Sequence, residues 1–315
     1  LFVVALLNVI ALMKLQFKTP DGPELKPSKY ADLFNIIKEI REHYHSRFLR
    51  IDRVILCDSF DIKLVKTPRN AFSFEFTHTL QIGLPVLQSM DATGFRALLA
   101  RELSRAAFRH QLIMGWLSSL VVLWKQYIRP AKQLGPYALP LYWVFRKYTA
   151  YNEKILSGII VKSTLFAEHD VLDLINDDDV LDVITSEAVI KQFINTVYWP
   201  KVRKLAMHPA SPDVRPHAKM ANVVRHFIAS PGFHKQVEKA WKQTEENQVG
   251  DYTLNNRVAN LGHHKPRIPE SLEETAAEAL LGKHLPLITD VMDKKWRLAF
   301  RKAVKNNSQL HCETR

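Results

Sequence analysis

Residues 98–110 read LLARELSRAAFRH, and within them Arg101-Glu102-Leu103-Ser104-Arg105 sets two long polar side chains four positions apart with a carboxylate beside the first. On a helix, positions i and i+4 share one face, a turn apart. A zinc hydrolase built on such a helix needs a His at each of those positions, so that both imidazoles reach one ion. It also needs a Glu next to the first His to take a proton from the metal-bound water. The spacing and Glu102 fit that chemistry. The ligand types do not, because a guanidinium stays protonated and has no lone pair to offer a metal. Taken alone, the pentapeptide also fits an ordinary solvent-facing helix with two Arg around a Glu.

Other chemistries find less support. The chain has no G-x-S-x-G and no Gly-rich phosphate loop, and Ser104 has no His three or four positions away to activate it. Cys57 and Cys312 form no C-x-x-C pair and no disulfide framework, which suits a reducing compartment. His110, Glu168 and His169 are the nearest residues that could rebuild a metal site, but His110 lies about two and a half turns from Arg101 and points elsewhere. His43-Tyr44-His45 and His263-His264 read as surface. Asp177-Asp178-Asp179 reads as a solvated acidic helix face rather than an ion site.

The elements that must position Glu102 follow from periodicity. The opening LFVVALLNVIALM is apolar over thirteen positions with one Asn, short of the roughly 20 residues that cross a bilayer. Residues 1–17 are read as a truncated transmembrane anchor, and Lys14, Lys18, Lys26 and Lys29 place the adjoining domain on the cytoplasmic or equivalent matrix side. Residues 18–28 hold three prolines and read as a linker. From Ser28, a candidate cap, Tyr30, Leu33, Ile36, Ile37, Ile40 and Tyr44 fall at helical spacing. Residues 51–57, 60–66 and 71–83 alternate as strands of a small antiparallel sheet. Phe95, Leu98, Leu99, Leu103 and Ala106 then make the apolar stripe of the helix that carries Glu102.

Residues 112–145 hold two apolar segments with Trp and Tyr at their ends and read as a hairpin leaning on a bilayer. Helices are expected over 152–206 and 219–246, a loop over 208–218 and irregular chain over 249–272; Ser271 and Glu274 have capping-box spacing. A domain over 29–294 and a basic, fraying tail over 295–315 complete the organisation. The 315 residues are 47% hydrophobic and carry a net charge of +12, the balance of a folded protein drawn to anionic partners. The charge is dispersed, with no aromatic-interleaved basic run, which favours a membrane lipid surface over nucleic acid.

Taken together, these elements and motifs make the sequence resemble the membrane-associated zinc metallopeptidases of the HtpX and CaaX-prenyl-protease type, peptidase family M-48. The resemblance rests on features in the family's order. The apolar anchor comes first. Asn70-Ala71-Phe72 matches the N-A-F element of the family's substrate-pairing edge strand, and Ile82-Gly83-Leu84-Pro85-Val86-Leu87 is similar to its "lGLPLL" step. ALLARELSRAAFRH is similar to "AVLAHELGHxxxxD", Asp173-Leu174-Ile175-Asn176-Asp177 to E-x-x-A-D, and Ser186-Glu187-Ala188 to a "sEA" step. Phe193 to Leu205 and Leu254 to Gly262 also resemble family positions, the latter a worn "SLxxRLxxLG".

The resemblance implies a mainly helical α+β fold of the gluzincin type, with Glu102 at the general-base position, Arg101, Arg105 and Asp173 at the three metal-ligand positions and Asp177 in support. Two of those ligands have become cations and the third carboxylate is a methylene shorter, so no cofactor is expected. Arg101 and Arg105 are expected instead to bridge to Glu102, Asp173 or Asp177. The implied function is that of a pseudopeptidase that binds a protein or peptide partner, through the edge strand at Asn70, Ala71 and Phe72. An active zinc metalloendopeptidase with atypical ligands and a structural subunit of a membrane complex are the alternatives.

Overall fold

The computed structural model describes residues 19–44, 50–68, 76–109, 139–208, 213–243, 253–269 and 271–313. These form a mainly helical α+β protein with one small sheet. The expected anchor, most of the expected membrane hairpin and the N-A-F element lie outside the described residues. Among the described residues no helix is long and apolar enough to cross a membrane.

Four strands, β1 (Glu24–Leu25), β2 (Arg53–Cys57), β3 (Ile62–Pro68) and β4 (Phe76–Gly83), lie in the order β1-β2-β4-β3. The sheet is mixed rather than antiparallel, because β2 runs parallel to β4, with Leu56 opposite Ile82. Alternation along single strands reports burial, not the direction of a neighbour. β3 pairs antiparallel with β4 and forms one edge. The stretch expected to be a linker contributes β1, which pairs antiparallel with β2. Two glycines allow close packing here: a Cβ on Gly22 would run into the Leu56 carbonyl, and one on Gly83 into the Ser59 and Asp61 carbonyls.

Helix α1 (Ala31–His43) buries Leu33, Ile37 and Ile40, with Tyr30 rather than Ser28 at its start. A short turn of helix, α2 (Leu84–Leu87), leads into α3 (Ala92–Arg109). Asp91 starts α3 by accepting the Gly94 N–H at 2.8 Å. The expected stripe Phe95, Leu98, Leu99, Leu103 and Ala106 is buried throughout. Against α3 pack β3, the long helix α4 (Leu139–Asp170) and α5 (Asp177–Phe193), whose first-turn Asp177, Asp178 and Asp179 suit a helix N-terminus.

A single wide turn at Ile194–Tyr198 joins α5 to α6 (Trp199–Ala206). Next come α7 (Pro216–Ile228), α8 (Pro231–Lys242), α9 (Leu254–Asn260) and α10 (Ala276–Leu281). The segment expected to be irregular therefore carries α9, which Thr253 caps through the Asn256 N–H. The capping box sits four residues later than expected, with Thr275 and Glu278 exchanging hydrogen bonds at α10. The last helix, α11 (Leu285–Glu313), continues across the boundary expected at 294. Met292 packs in the core, Lys295 reaches Asp21 at 2.9 Å, and Trp296 stacks on Trp199, so residues just past 294 belong to the body.

Candidate functional site

Helix α3 presents Arg101 to α4 and α5 and Glu102 to β3, while Arg105 pairs within α3 itself. Arg101 meets Glu187 of α5 fork to fork, Nη1 to Oε2 at 2.6 Å and Nη2 to Oε1 at 2.5 Å. Its Nη1 is also 3.6 Å from Oε1 of Glu168, on α4. From α9, Arg257 donates Nε to Glu168 at 2.6 Å and Nη2 to Glu187 at 2.8 Å. Arg105 bonds back to Glu102 one turn earlier on its own helix. Three guanidinium groups and three carboxylates thus form a neutral cluster joining α3, α4, α5 and α9.

The electrostatics follow from burial and proximity. Burial alone would raise the Glu187 carboxyl, but Arg101 and Arg257 outweigh it and hold the group well below the ordinary carboxylate range. Burial would likewise lower Arg101 and Arg257, and the facing carboxylates push both above the usual guanidinium value. Glu187, Arg101 and Arg257 are thereby held in their charged forms.

Glu102 is buried and does two things at once. Oε2 accepts from Arg105, and Oε1 accepts the Leu64 backbone N–H of edge strand β3 at 3.0 Å. The carboxylate fastens the sheet edge to α3. Two residues along, Ser104 donates to Asp170 at the end of α4, and Tyr44 donates to the Asp170 carbonyl at 3.4 Å. Beside the cluster lies a cavity of about 30 Å³, lined by Phe60, Asp61, Ile62, Val86 and Leu98 with Arg101, Glu102, Arg105 and Glu187. That is room for a water or two, far below the ~300 Å³ of a small-molecule pocket.

Zinc, which the resemblance implies for such a helix, does not suit this donor set. Arg101 and Arg105 cannot ligate, and Glu168 and Glu187 are already spanned by guanidinium groups. Among the described residues no group of three or more His, Cys, Asp or Glu could hold a metal ion.

The expected bridges are met in part. Arg105 does pair with Glu102, but Arg101 takes Glu187 and Glu168 in place of Asp173 and Asp177. The reason is geometric: α4 ends at Asp170, and Asp173 lies beyond it in a short 3-10 turn, while Glu168 remains on the helix that packs against α3. Asp177 pairs with His263 at 2.6 Å, and Asp178 and Asp182 pair with Arg267, so the acidic start of α5 is a surface with local partners of its own.

Motif spacing gives no hint of a second polar cluster. His217, expected in a loop, is the second residue of α7 and fully buried, with Nδ1 2.8 Å from Oδ1 of Asp293 on α11. Pro216 at the first helical position is the one signal for that helix start. No family model matches the chain, and no curated protein or solved structure matches it either.

Proposed function

We propose that this protein is a metallopeptidase-like pseudopeptidase of the gluzincin type that works at a membrane surface by binding a protein or peptide partner. The observation that carries the reading is the seat of Arg101. A fork-to-fork pair with Glu187, backed by Glu168 and Arg257, occupies the helix junction where a hydrolase of this kind would hold its metal. Glu102, at the general-base position, is committed to Leu64 and Arg105. Binding needs none of the missing ligands, because an extended peptide pairs with a strand edge through backbone hydrogen bonds. The edge formed by β3, outside the Leu64 N–H that Glu102 takes, is the surface for it.

The membrane part of the proposal is supported by the first turns of α4. Trp143, Val144, Tyr148 and Tyr151 are 53%, 61%, 55% and 65% exposed. Arg146 lies over the Trp143 ring at 5.7 Å, with Lys147 alongside. Aromatic rings beside cations suit the headgroup layer of an anionic bilayer.

Two measurements test the reading. Zinc content and casein cleavage of the purified chain are expected to be at background; stoichiometric zinc, or cleavage abolished by Glu102→Gln, overturns it in favour of an active endopeptidase. Co-sedimentation with phosphatidylglycerol vesicles is expected, and is expected to weaken when Trp143, Tyr148 and Tyr151 are all changed to Ala. Equal binding by the triple variant removes α4 from the membrane contact.

A further inference from the structure

His217 sits between two carboxylates that belong to distant parts of the chain. On one side Asp293 of α11 accepts the His217 backbone N–H at 2.8 Å and the Ala218 N–H at 3.3 Å, so it closes the start of α7. The same carboxylate lies 2.8 Å from Nδ1, which fixes the proton on that nitrogen. On the other side Nε2 faces Oδ1 of Asp58 at 3.4 Å. Both of those atoms are buried, and neither has a well-formed hydrogen bond.

Among the described residues, the other contacts around His217 carry no charge. The Trp199 ring meets the imidazole edge-on at 5.7 Å, the Gln88 amide donates to the His217 carbonyl at 2.7 Å, and Tyr198 donates its hydroxyl to the Pro216 carbonyl. The state of His217 is therefore decided by Asp293 and Asp58. With Nε2 bare, its lone pair opposes a carboxylate oxygen at close range. With Nε2 protonated, the contact becomes a charge-assisted pair. Asp293 is fixed in the core, whereas the Asp58 side chain is 42% exposed on the β2–β3 turn and is free to turn toward water.

That turn also reaches the cavity. Phe60, Asp61 and Ile62 form its wall opposite Arg101 and Glu102, and the turn rests on Gly83, whose N–H bonds the Asp61 carbonyl at 2.9 Å. We propose that His217 is a proton-operated latch: protonated at Nε2, it clips the β2–β3 turn to α7 and α11 through Asp58, and on losing that proton it releases the turn and loosens the wall of the cleft beside Arg101. The ionic contacts raise the His217 value above the ordinary 6.5 against burial, which by itself would lower it. Release therefore comes above that ordinary value.

Amide hydrogen exchange of the full chain, corrected for intrinsic rates, tests the latch. Between about pH 6 and about pH 8.5, protection over 58–61 is expected to fall severalfold, while β4 stays unchanged. Asp58→Asn is expected to abolish the contrast and to lower the midpoint at which the His217 imidazole titrates by proton NMR. Equal protection at the two pH values in the wild type overturns the latch without any variant, and so does an undiminished contrast in Asp58→Asn. The link from the latch to partner binding rests on the function proposed above. If peptides fail to bind but the exchange contrast holds, that function falls and the latch stands.

Discussion

Arg101 and Glu187 lie 86 residues apart and meet in two parallel hydrogen bonds of 2.6 and 2.5 Å at the contact of α3 with α5. Both side chains are mostly buried, so removing one partner strands the other. Glu187→Ala and Arg101→Ala are each expected to lose about 3–5 kcal/mol in urea denaturation. Arg101→Met with Glu187→Leu, which removes both charges together, is expected to lose much less than the sum, since Arg257 and Glu168 still satisfy each other. Additive losses in the double variant would show that the two residues act separately.

Glu102 offers a sharper comparison between two substitutions. Gln keeps an oxygen for the Leu64 N–H, whereas Ala leaves a buried backbone donor bare. Glu102→Ala is expected to cost about 1–3 kcal/mol more than Glu102→Gln. Equal stability of the two variants, again by urea, would mean that the carboxylate does not hold the sheet edge.

The pH profile of stability is set by two groups displaced in opposite directions. Glu187 titrates lower when folded than its ordinary 4.5, so its contribution is complete above that value and drains away as pH falls through the folded one. His217 titrates higher when folded than 6.5, so its contribution is complete below that value and is lost as pH rises through the folded one. Greatest stability is expected between about pH 4.5 and about pH 6.5. Thermal melts should show Glu187→Gln flattening the acid limb and His217→Gln the alkaline one. A stability maximum near pH 8 would contradict the His217 assignment, and an acid limb unchanged in Glu187→Gln that of Glu187.

If the fold is that of a metallopeptidase, its metal site should be recoverable. Changing Arg101 and Arg105 together to His is expected to give a chain that retains roughly one zinc after dialysis, with a carboxylate as third ligand. Glu187 and Glu168 are the carboxylates that face Arg101, so adding Glu187→Ala and Glu168→Ala together should abolish retention while adding Asp173→Ala should not. A folded double variant with no zinc would count against the gluzincin reading.

How much of the molecule is legible in the sequence depends on how local each signal is. The α3 stripe from Phe95 to Ala106 reads from spacing alone, because one face of one helix is buried. The parallel pairing of β2 with β4 is not written in either strand, since it depends on where β3 goes. Arg101 stands out by its neighbours, but its choice of Glu187 and Glu168 over Asp173 needs the packing of α4 and α5 around α3. His217 has no periodic context at all: its partners Asp58 and Asp293 lie 159 and 76 residues away.

The six-membered ion cluster also bears on the order of assembly. Its last member in the chain, Arg257, sits 156 residues after Arg101. A nascent chain that has not reached α9 holds the buried carboxylates of Glu168 and Glu187 with only Arg101 between them, an excess of negative charge that resists closure of the helices. Arrival of Arg257 cancels it. Neutrality of the cluster therefore acts as a check that the chain is long enough, and a fragment ending before residue 254 should stay loose where the whole protein is sealed.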